Sequence, residues 1–324
     1  MTTIPTISIL IPVYNVEQYV EECLQSILQQ IDENAEVIIM NDKSTDNSWE
    51  VVQKFANHSQ ITLVEAPHNR GLSATRNEML KLAKLKYIWF IDSDDVMRAG
   101  AYQLAVNQLK QMPVDVLFCD YMAWRGDIKK QKSGFVGKPN QYYQNKNASF
   151  FKNLVKSNSN YAWNKIFKKS VIDNIQFQVG KKFEDIYYMA DLAEFVQDFC
   201  YCQIPLIDYR LREGSITQVF DRKYIDDYLE AFIYREQTWE KLVKDFKQDE
   251  FSYYLWYKSF NRFVGLVNEL YKNQQIDELN YVKKHYANIF FHYQQQSTQH
   301  LGFLRKLRMY YQQRNLTKYL NQGK

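Results

Sequence analysis

The chain has 324 residues, of which 46% are hydrophobic and 24% charged, a composition typical of a globular protein with one large or two smaller domains. Its net charge of +4 comes from the C-terminal end, where six of the 41 Lys and Arg residues and no acidic residue follow Gln299. The other 35 basic residues face 37 acidic ones, which argues against nucleic acid binding by the body of the protein.

The N-terminus and the hydrophobic runs bear on where the protein is found. No apolar run approaches the roughly 20 residues of a membrane-spanning helix. The first residues, Met1-Thr2-Thr3-Ile4-Pro5, lack the charged and hydrophobic regions of a signal peptide. We therefore expect a cytoplasmic protein and leave open a peripheral attachment to the inner face of the cell membrane.

Strands and helices alternate along the first hundred residues. Short apolar runs predict strands at residues 7–11, 36–40, 61–64 and 87–91, and Pro12 is expected to end the first. Apolar stripes with helical spacing predict helices at residues 16–30, 47–57 and 71–84, with Asp46 as the N-cap of the second. This alternation predicts an α/β fold with a mostly parallel, doubly wound sheet.

Polar clusters follow each of the four predicted strands. Right-handed crossovers place all of these clusters on one edge of the sheet, where ligands bind in open α/β folds. A turn at the end of the fourth strand would also explain its Asp and Ser residues, but four clusters on one edge favour a nucleotide site. The clusters are Tyr14-Asn15, Asp42, Asn69-Arg70 and Asp92-Ser93-Asp94-Asp95.

The acidic cluster at Asp92–Asp95 suggests a metal site. The chain has neither Gly-x-Gly-x-x-Gly after its first strand nor Gly-Lys-Ser/Thr, which disfavours dehydrogenases and P-loop proteins. A diphosphate bound without a glycine-rich loop needs another charge partner. A divalent ion on Asp92 and Asp94 would supply it, and their oxygen ligands suit Mg²⁺ or Mn²⁺.

The middle of the chain is less regular. Helices are predicted at residues 100–111, 145–156 and 185–195, strands at 114–121 and 201–209, and a mobile basic loop at 125–139. Glu184 and Asp185 open one of these helices, where acidic residues can simply complement the helix dipole. Cys200 and Cys202 are interpreted as apolar strand residues rather than as a redox pair.

The last hundred residues are predicted to be helical, at residues 224–246, 250–271, 276–295 and 299–320. The final helix combines basic residues with an apolar set and could lie on an anionic membrane. Packing on the body with a solvated basic face is the alternative, and both stay open. The apolar set is Leu301, Leu304, Leu307, Tyr311 and Leu320.

Four successive motifs resemble those of glycosyltransferase family 2, whose members have the GT-A fold and mostly invert the anomeric configuration. They run in the usual order over residues 7–95. A looser similarity to the bacterial surface-polysaccharide branch extends the resemblance to about two-thirds of the chain. The domains implied are a GT-A catalytic domain at residues 1–220 and a helical region at 221–324. The motifs are residues 9–15, 41–46, 69–77 and 92–95, with the looser matches at Trp163-Asn164-Lys165, Glu184-Asp185 and residues 210–217.

The resemblance implies roles for the residues on the donor side. Pro12, Tyr14 and Asn15 would line the nucleotide pocket, Asp42 would accept a hydrogen bond from uracil, and Asn69 and Arg76 would contact the nucleotide and its phosphates. Asp92 and Ser93 would hold the nucleotide sugar, with Asp94 and Asp92 binding the metal. Arg210, Arg212 and Ser215 would belong to a loop that closes over the diphosphate.

On the acceptor side the resemblance implies that Asp185 is the catalytic base and that Glu184 orients a sugar hydroxyl, with Trp163 and Lys165 nearby. Plain packing of Tyr14 and Trp163, and solvated charges at Arg210 and Arg212, are the competing interpretations. One position departs from the family pattern, because Lys43 follows Asp42 where Gly is common. If that position has a positive φ, Lys costs roughly 1 kcal/mol.

The expected activity is a metal-dependent, inverting transfer of a sugar from a UDP-sugar to a glycan or glycolipid of the bacterial surface, with Mn²⁺ or Mg²⁺ as cofactor. A departing diphosphate needs a cation and arginines, and an attacking hydroxyl needs one base. A non-catalytic nucleotide-sugar-binding or scaffold subunit is the alternative. Whether the chain forms a homo-oligomer is left open.

Overall fold

A computed structural model of the chain describes residues 4–211, 221–298 and 302–320. The chain divides into two compact units, Met1–Glu213 and Gly214–Lys324. The predictions for Arg212, Ser215 and Leu301 lie outside the described residues, as do those for the side chains of Leu304 and Leu307.

Ten strands of the described residues form one sheet in the first unit. Its order is β3-β2-β1-β4-β9-β6-β10-β5, with β7 paired to β6 and β8 paired to β10. The strands are β1 (Ile7–Val13), β2 (Ala35–Asn41), β3 (Ile61–Glu65), β4 (Tyr87–Phe90), β5 (Val96–Met97), β6 (Val116–Arg125), β7 (Ile128–Lys132), β8 (Tyr142–Gln144), β9 (Lys165–Lys168) and β10 (Asp198–Arg210).

The first four strands of the sheet order are parallel, as the alternating pattern predicts. Every residue of β1 and β4 is buried, because helices cover both faces of this part of the sheet. Strand β9 runs antiparallel to both β4 and β6, so the sheet is mixed at its centre. The predicted α/β class is confirmed, and β5, β7 and β8 also pair antiparallel with their neighbours.

Pro12 does not end the first strand, which continues to Val13. The carbonyl of Leu10 accepts from the Ile91 amide on the β4 side, and the carbonyl of Val13 accepts from the Asp42 amide on the β2 side. The backbone polar groups of successive β1 residues therefore face β4 and β2 in turn. The Pro12 nitrogen faces the β4 side, beyond the point where β4 has ended. No ladder hydrogen bond is lost there, which is why proline is tolerated.

Helices flank the sheet, and their bounds differ somewhat from the predicted ones. The first begins at Val20 instead of residue 16. Asp46 lies one residue before the N-cap Asn47, but its carboxylate accepts from the Ser48 amide at 3.0 Å, as a capping side chain does. Cys23, Leu24 and Ile27 form the buried stripe of the first helix. The helices are α1 (Val20–Leu28), α2 (Ser48–Gln53), α3 (Leu72–Leu82), α4 (Ala101–Gln111), α5 (Ser149–Ser157), α6 (Lys169–Ile172) and α7 (Glu184–Leu192).

The predicted loop at residues 125–139 is wrong for its first half, where β6 and β7 form an antiparallel hairpin. All five residues of β7 are exposed, so the strand has no apolar alternation that a sequence pattern could reveal. Cys200 and Cys202 lie buried in β10 with free thiols, which confirms the strand interpretation.

The second unit is helical over its described residues. The helix predicted at residues 276–295 breaks at Tyr286 into two. The helices are α8 (Arg222–Leu242), α9 (Glu250–Lys272), α10 (Ile276–His285), α11 (Ala287–Thr298) and α12 (Phe303–Leu320).

Helix α12 packs against α9 within this unit. The rings of Tyr271 and Tyr319 stack with centroids 4.0 Å apart, and Gln312 donates to Asn261 at 2.9 Å. Leu320 is buried, whereas Tyr311 is 55% exposed and does not belong to the packed face. Within the parts that the structure describes, no helix is both long and apolar enough to cross a membrane.

Candidate active site

Hydrogen bonds join the loops that follow β1 and β2. The Asn15 side-chain oxygen accepts from the Thr45 amide at 2.8 Å, and the Asn15 amide donates to the Ser44 hydroxyl at 3.1 Å. Asn15 therefore acts as a link between the two loops, whatever else it contacts. Tyr14 beside it is 45% exposed, so packing within the described chain does not account for it, and Pro12 is buried in β1.

Asp42 organises the loop that follows β3. It is 3% exposed, and its two carboxylate oxygens accept from the backbone amides of Arg70 at 2.8 Å and Gly71 at 2.7 Å. Asn69, just before this loop turns, is exposed. The structure thus shows a loop-holding role for Asp42 that sequence reasoning missed, and its contact with uracil stays a prediction.

Arg76 connects the two acidic groups of the site. Its side chain is 2% exposed, and its guanidinium donates to Asp92 at 2.9 Å, Glu184 at 3.0 Å and Asp185 at 3.1 Å. It also lies over the ring of Phe177, 5.1 Å from the ring centroid. The guanidinium is thus buried among three carboxylates, and its contact with the nucleotide stays a prediction.

The pKa values of Glu184 and Asp185 reflect this crowding. Burial and the neighbouring charge of Asp185 raise the pKa of Glu184 to about 7, although Arg76 acts in the opposite direction. Burial also raises the pKa of Asp185, while Arg76 lowers it. The second oxygen of Asp185 accepts from the Ala162 amide at 3.3 Å. Two carboxylates at the start of α7 thus share one cation, beyond what a dipole complement requires.

Arg210 binds the acidic turn, residues 92–95, that follows β4. The Arg210 amide donates to Asp95 at 2.8 Å, its Nε donates to the Asp94 carbonyl at 3.0 Å, and its guanidinium donates to Glu22 at 2.6 Å. The guanidinium also lies 4.0 Å from the centroid of the Trp124 ring. Arg210 is therefore a structured part of the site and not a freely solvated charge.

Asp95 was named from the sequence only as part of the acidic cluster and was given no role of its own. It is fully buried, and its Oδ2 has no hydrogen-bond partner within the described residues. Burial, together with the charges of Asp92 and Asp94, raises its pKa well above the ordinary value. The only sequence signal for it was its position as the third carboxylate after a buried strand.

The donor set of this turn fits a divalent cation that is completed by a ligand. Within the described residues, no three acidic, His or Cys side chains are grouped as a ready metal site. Asp92 uses one oxygen for Arg76, and both Asp92 and Asp94 keep partial exposure. Mg²⁺ commonly takes one or two carboxylates and completes its shell with phosphates and water. Asp92 and Asp94 match that pattern, with the Ser93 side chain buried between them.

Trp163 and Lys165 do not present a surface to an acceptor. The Trp163 ring stacks with Tyr161, with centroids 5.2 Å apart, and with Tyr209, with centroids 4.7 Å apart, and Trp163 is buried. Lys165 is fully buried, and its ammonium donates to backbone and side-chain oxygens of residues 159–164. Neither side chain is exposed, and an acceptor-side role for either residue stays a prediction.

Lys43 has a φ of 60°, so the position does adopt the conformation that favours glycine. Its ammonium pairs with Glu65 at 3.1 Å, and both side chains are substantially exposed. The departure from the family pattern is thus a strained backbone position with a weak surface ion pair.

Comparison with known proteins identifies a family. The model described as glycosyl transferase family 2 matches residues 8–175, just over half of the chain. Glycosyltransferase GlyA of Streptococcus pneumoniae serotype 4 is 29% identical over 233 residues, or 69% of this chain and 33% of GlyA. Putative glycosyltransferase EpsH of Bacillus subtilis is 28% identical over 238 residues, or 70% of this chain and 67% of EpsH. The chain thus spans about a third of the length of GlyA.

Solved structures of S. aureus TarS, residues 1–349, share the fold. The complex with UDP gives a TM-score of 0.66 at 17% identity and covers 97% of this chain and 89% of that one. The complex with UDP-GlcNAc gives a TM-score of 0.61 at 18% identity and covers 81% and 80%. At these identities the likeness concerns the fold alone, and it agrees with the predicted GT-A architecture.

Proposed function

The chain belongs to glycosyltransferase family 2, and we propose that it transfers a sugar from a UDP-sugar to a hydroxyl of a bacterial surface glycan, with inversion and with Asp185 as general base. The sugar would be a hexose or an N-acetylhexosamine. The glycan would be a lipopolysaccharide, lipooligosaccharide, capsule or teichoic acid. The names of the relatives support glycosyl transfer, and the UDP and UDP-GlcNAc bound to TarS support the donor class.

One observation carries this proposal. A single guanidinium, that of Arg76, contacts both Asp92, on the proposed diphosphate side, and Asp185, on the proposed acceptor side. A single displacement needs the base on the face of the anomeric carbon opposite to the leaving group. The spacing set by one guanidinium leaves these two carboxylates close enough to serve the two sides of one sugar ring.

The chemistry follows from these positions. The acceptor oxygen forms a bond to the anomeric carbon while its proton moves to Asp185, and the bond from that carbon to the diphosphate breaks to release UDP. Arg76 helps to keep Asp185 ionised at the start. The Glu184 carboxyl is available to accept or donate a hydrogen bond to a sugar hydroxyl. A bound Mn²⁺ or Mg²⁺ on Asp94 and Asp92 would stabilise the charge on the departing diphosphate, and Arg210 lies beside that turn.

A donor screen tests the proposal. Purified protein is incubated with a panel of UDP-sugars and Mn²⁺ or Mg²⁺, with and without EDTA, and released UDP is measured. We expect release with at least one donor, its loss with EDTA, and its loss in Asp94→Ala. Asp127→Ala is the control, because Asp127 is an exposed carboxylate of the β6–β7 turn. Donor binding without UDP release, even with glycan acceptors added, would contradict the enzyme and support a binding subunit.

We also propose that α12 contacts the cytoplasmic face of an anionic membrane. Lys306, Tyr310 and Arg314 are four residues apart and exposed, and the helix contains no acidic residue. Co-sedimentation with phosphatidylglycerol vesicles should be reduced in a Lys306→Glu, Arg314→Glu double variant and absent with phosphatidylcholine alone. Equal sedimentation of the variant and the wild type would contradict this contact.

A further inference from the structure

Lys165 is a buried cation held almost wholly by neutral oxygens. It is the first residue of β9, and its side chain has no exposure. The ammonium donates to the carbonyls of Ser159 at 2.8 Å and Tyr161 at 2.7 Å, to the Asn164 side chain at 2.8 Å and to the Ser159 hydroxyl at 3.3 Å. An ammonium has three protons, so these contacts saturate it. Among the described residues it forms no ion pair with a carboxylate.

Burying a cation without a counter-ion is costly. The cost is visible in the pKa of Lys165, which burial lowers to about 7. A leucine or methionine would fill the same space without this penalty. The ammonium must therefore supply something that an apolar side chain cannot, and the contacts indicate what that is.

These contacts gather residues 159–164 into a tight curl around the ammonium. The carbonyls of Ser159 and Tyr161 point toward the ammonium, which fixes the direction of the peptide groups between them. The Ala162 amide belongs to this curl, and it donates to Asp185 Oδ2 at 3.3 Å. The curl is anchored outside as well, because the Trp163 carbonyl accepts from the Trp89 indole at 3.2 Å.

Asp185 is thus held at both oxygens, by Arg76 at Oδ1 and by the Ala162 amide at Oδ2. We propose that Lys165 is a positioning residue that curls residues 159–164 so that the Ala162 amide fixes the orientation of the Asp185 carboxylate toward the acceptor. This inference rests on the proposed role of Asp185 as the base. Lys165 would act through the curl and would not touch either substrate.

The test compares Lys165→Met with Lys168→Met. Methionine keeps an unbranched side chain of similar length and removes only the charge and its donors. Lys168 lies three residues along the same strand, is 37% exposed and pairs with Asp115. Each variant is assayed for kcat, for KM of the UDP-sugar and for the pH dependence of kcat/KM, after its folding has been checked by circular dichroism and thermal unfolding.

We expect Lys165→Met to lower kcat by about 100-fold, as a misplaced catalytic group does, with little change in donor KM. The acid limb of the kcat/KM profile should also move to higher pH, because the Ala162 amide and the Lys165 charge both lower the pKa of Asp185. Arg76, Glu184 and Asp92 also face that carboxylate and are unchanged in the variant. A purely structural role would lower the melting temperature without moving this limb.

Asn164→Ala decides the matter if Lys165→Met does not fold. It removes one of the four acceptors and the Asn164 donor to the Ser159 hydroxyl, and it leaves the ammonium and both carbonyls in place. An intermediate fall in kcat with a smaller shift of the acid limb supports the inference. Wild-type kcat and an unmoved limb in a folded Lys165→Met, or in Asn164→Ala if the former is unfolded, would overturn it. Wild-type activity in Asp185→Asn would instead overturn the proposed function itself.

Discussion

Arg76 and Asp185 are joined by a hydrogen bond of 3.1 Å although 109 positions separate them in the sequence. The other terminal nitrogen of the same guanidinium donates to Asp92, which lies two residues beyond the end of β4. The residue on α3 therefore sets the distance between the acidic turn after β4 and the acidic start of α7. Several consequences of this arrangement can be measured.

Replacing Arg76 by Met should destabilise the protein severely. Three carboxylates would lose their shared cation, and breaking a buried ion pair from one side typically costs about 3–5 kcal/mol. The free energy of unfolding in urea measures this loss. Arg98→Met is the matched control, because its side chain is 36% exposed and its partner Asp208 keeps Lys129. Equal losses of unfolding free energy in the two variants would show that the buried Arg76 ion pairs stabilise the protein no more than an exposed one.

Glu184→Gln should change how stability depends on pH. The pKa of Glu184 is raised from its ordinary value of 4.5 to about 7, so the folded state holds the proton more tightly than the unfolded chain does. Glu184 therefore stabilises the fold below pH 4.5, and this contribution is lost as the pH rises through about 7. Glutamine has no such loss. The unfolding free energy of the variant, relative to wild type, should rise across this window.

Urea unfolding at pH values on either side of that window measures the difference. Glu194→Gln serves as the control, since Glu194 is an exposed carboxylate just beyond the end of α7. The prediction is wrong if the relative unfolding free energy of Glu184→Gln stays as flat with pH as that of the control.

Asp42→Ala should loosen the loop at Arg70 and Gly71. Two charge-assisted, part-buried hydrogen bonds to backbone amides would be lost, which we expect to lower the free energy of unfolding by about 3 kcal/mol. Asp42→Asn keeps one acceptor oxygen and should cost about half as much. Chemical denaturation of wild type and the two variants gives both values. If Asp42→Asn loses as much stability as Asp42→Ala, the two carboxylate oxygens do not contribute separately.

Lys43→Gly should stabilise the protein by about 0.5 kcal/mol. Glycine relieves the positive φ, which outweighs the lost surface ion pair with Glu65 and the greater freedom of the unfolded chain. Lys43→Ala loses the ion pair but keeps the strained backbone, so it should be slightly less stable than wild type. If glycine and alanine have the same effect, backbone strain at this position is negligible.

Sequence patterns predicted the elements of the first hundred residues because each buried strand there is an apolar run, as in residues 87–91. They did not predict β7, whose five residues are all exposed, or the central place of β9 between β4 and β6. An exposed hairpin strand has no alternation, and the pairing of distant strands leaves no local trace.

The candidate site was also predicted only in part. The edge of the sheet and its carboxylates followed from polar residues at the ends of strands. The partners of individual side chains did not, since Arg76 could have faced a phosphate as well as a carboxylate. Lys165 shows the same limit, because the motif Trp163-Asn164-Lys165 gives no sign that this ammonium is enclosed by backbone carbonyls.

The most direct test of the account is the turnover of Asp185→Asn with the donor and acceptor that the wild type uses. Asparagine preserves the size of the side chain but cannot take the proton of the attacking hydroxyl. We predict a fall in kcat of about 1000-fold with donor binding retained, while Glu194→Gln keeps the wild-type rate. A folded Asp185→Asn enzyme that transfers sugar at the wild-type rate would contradict the assignment of Asp185 as the base.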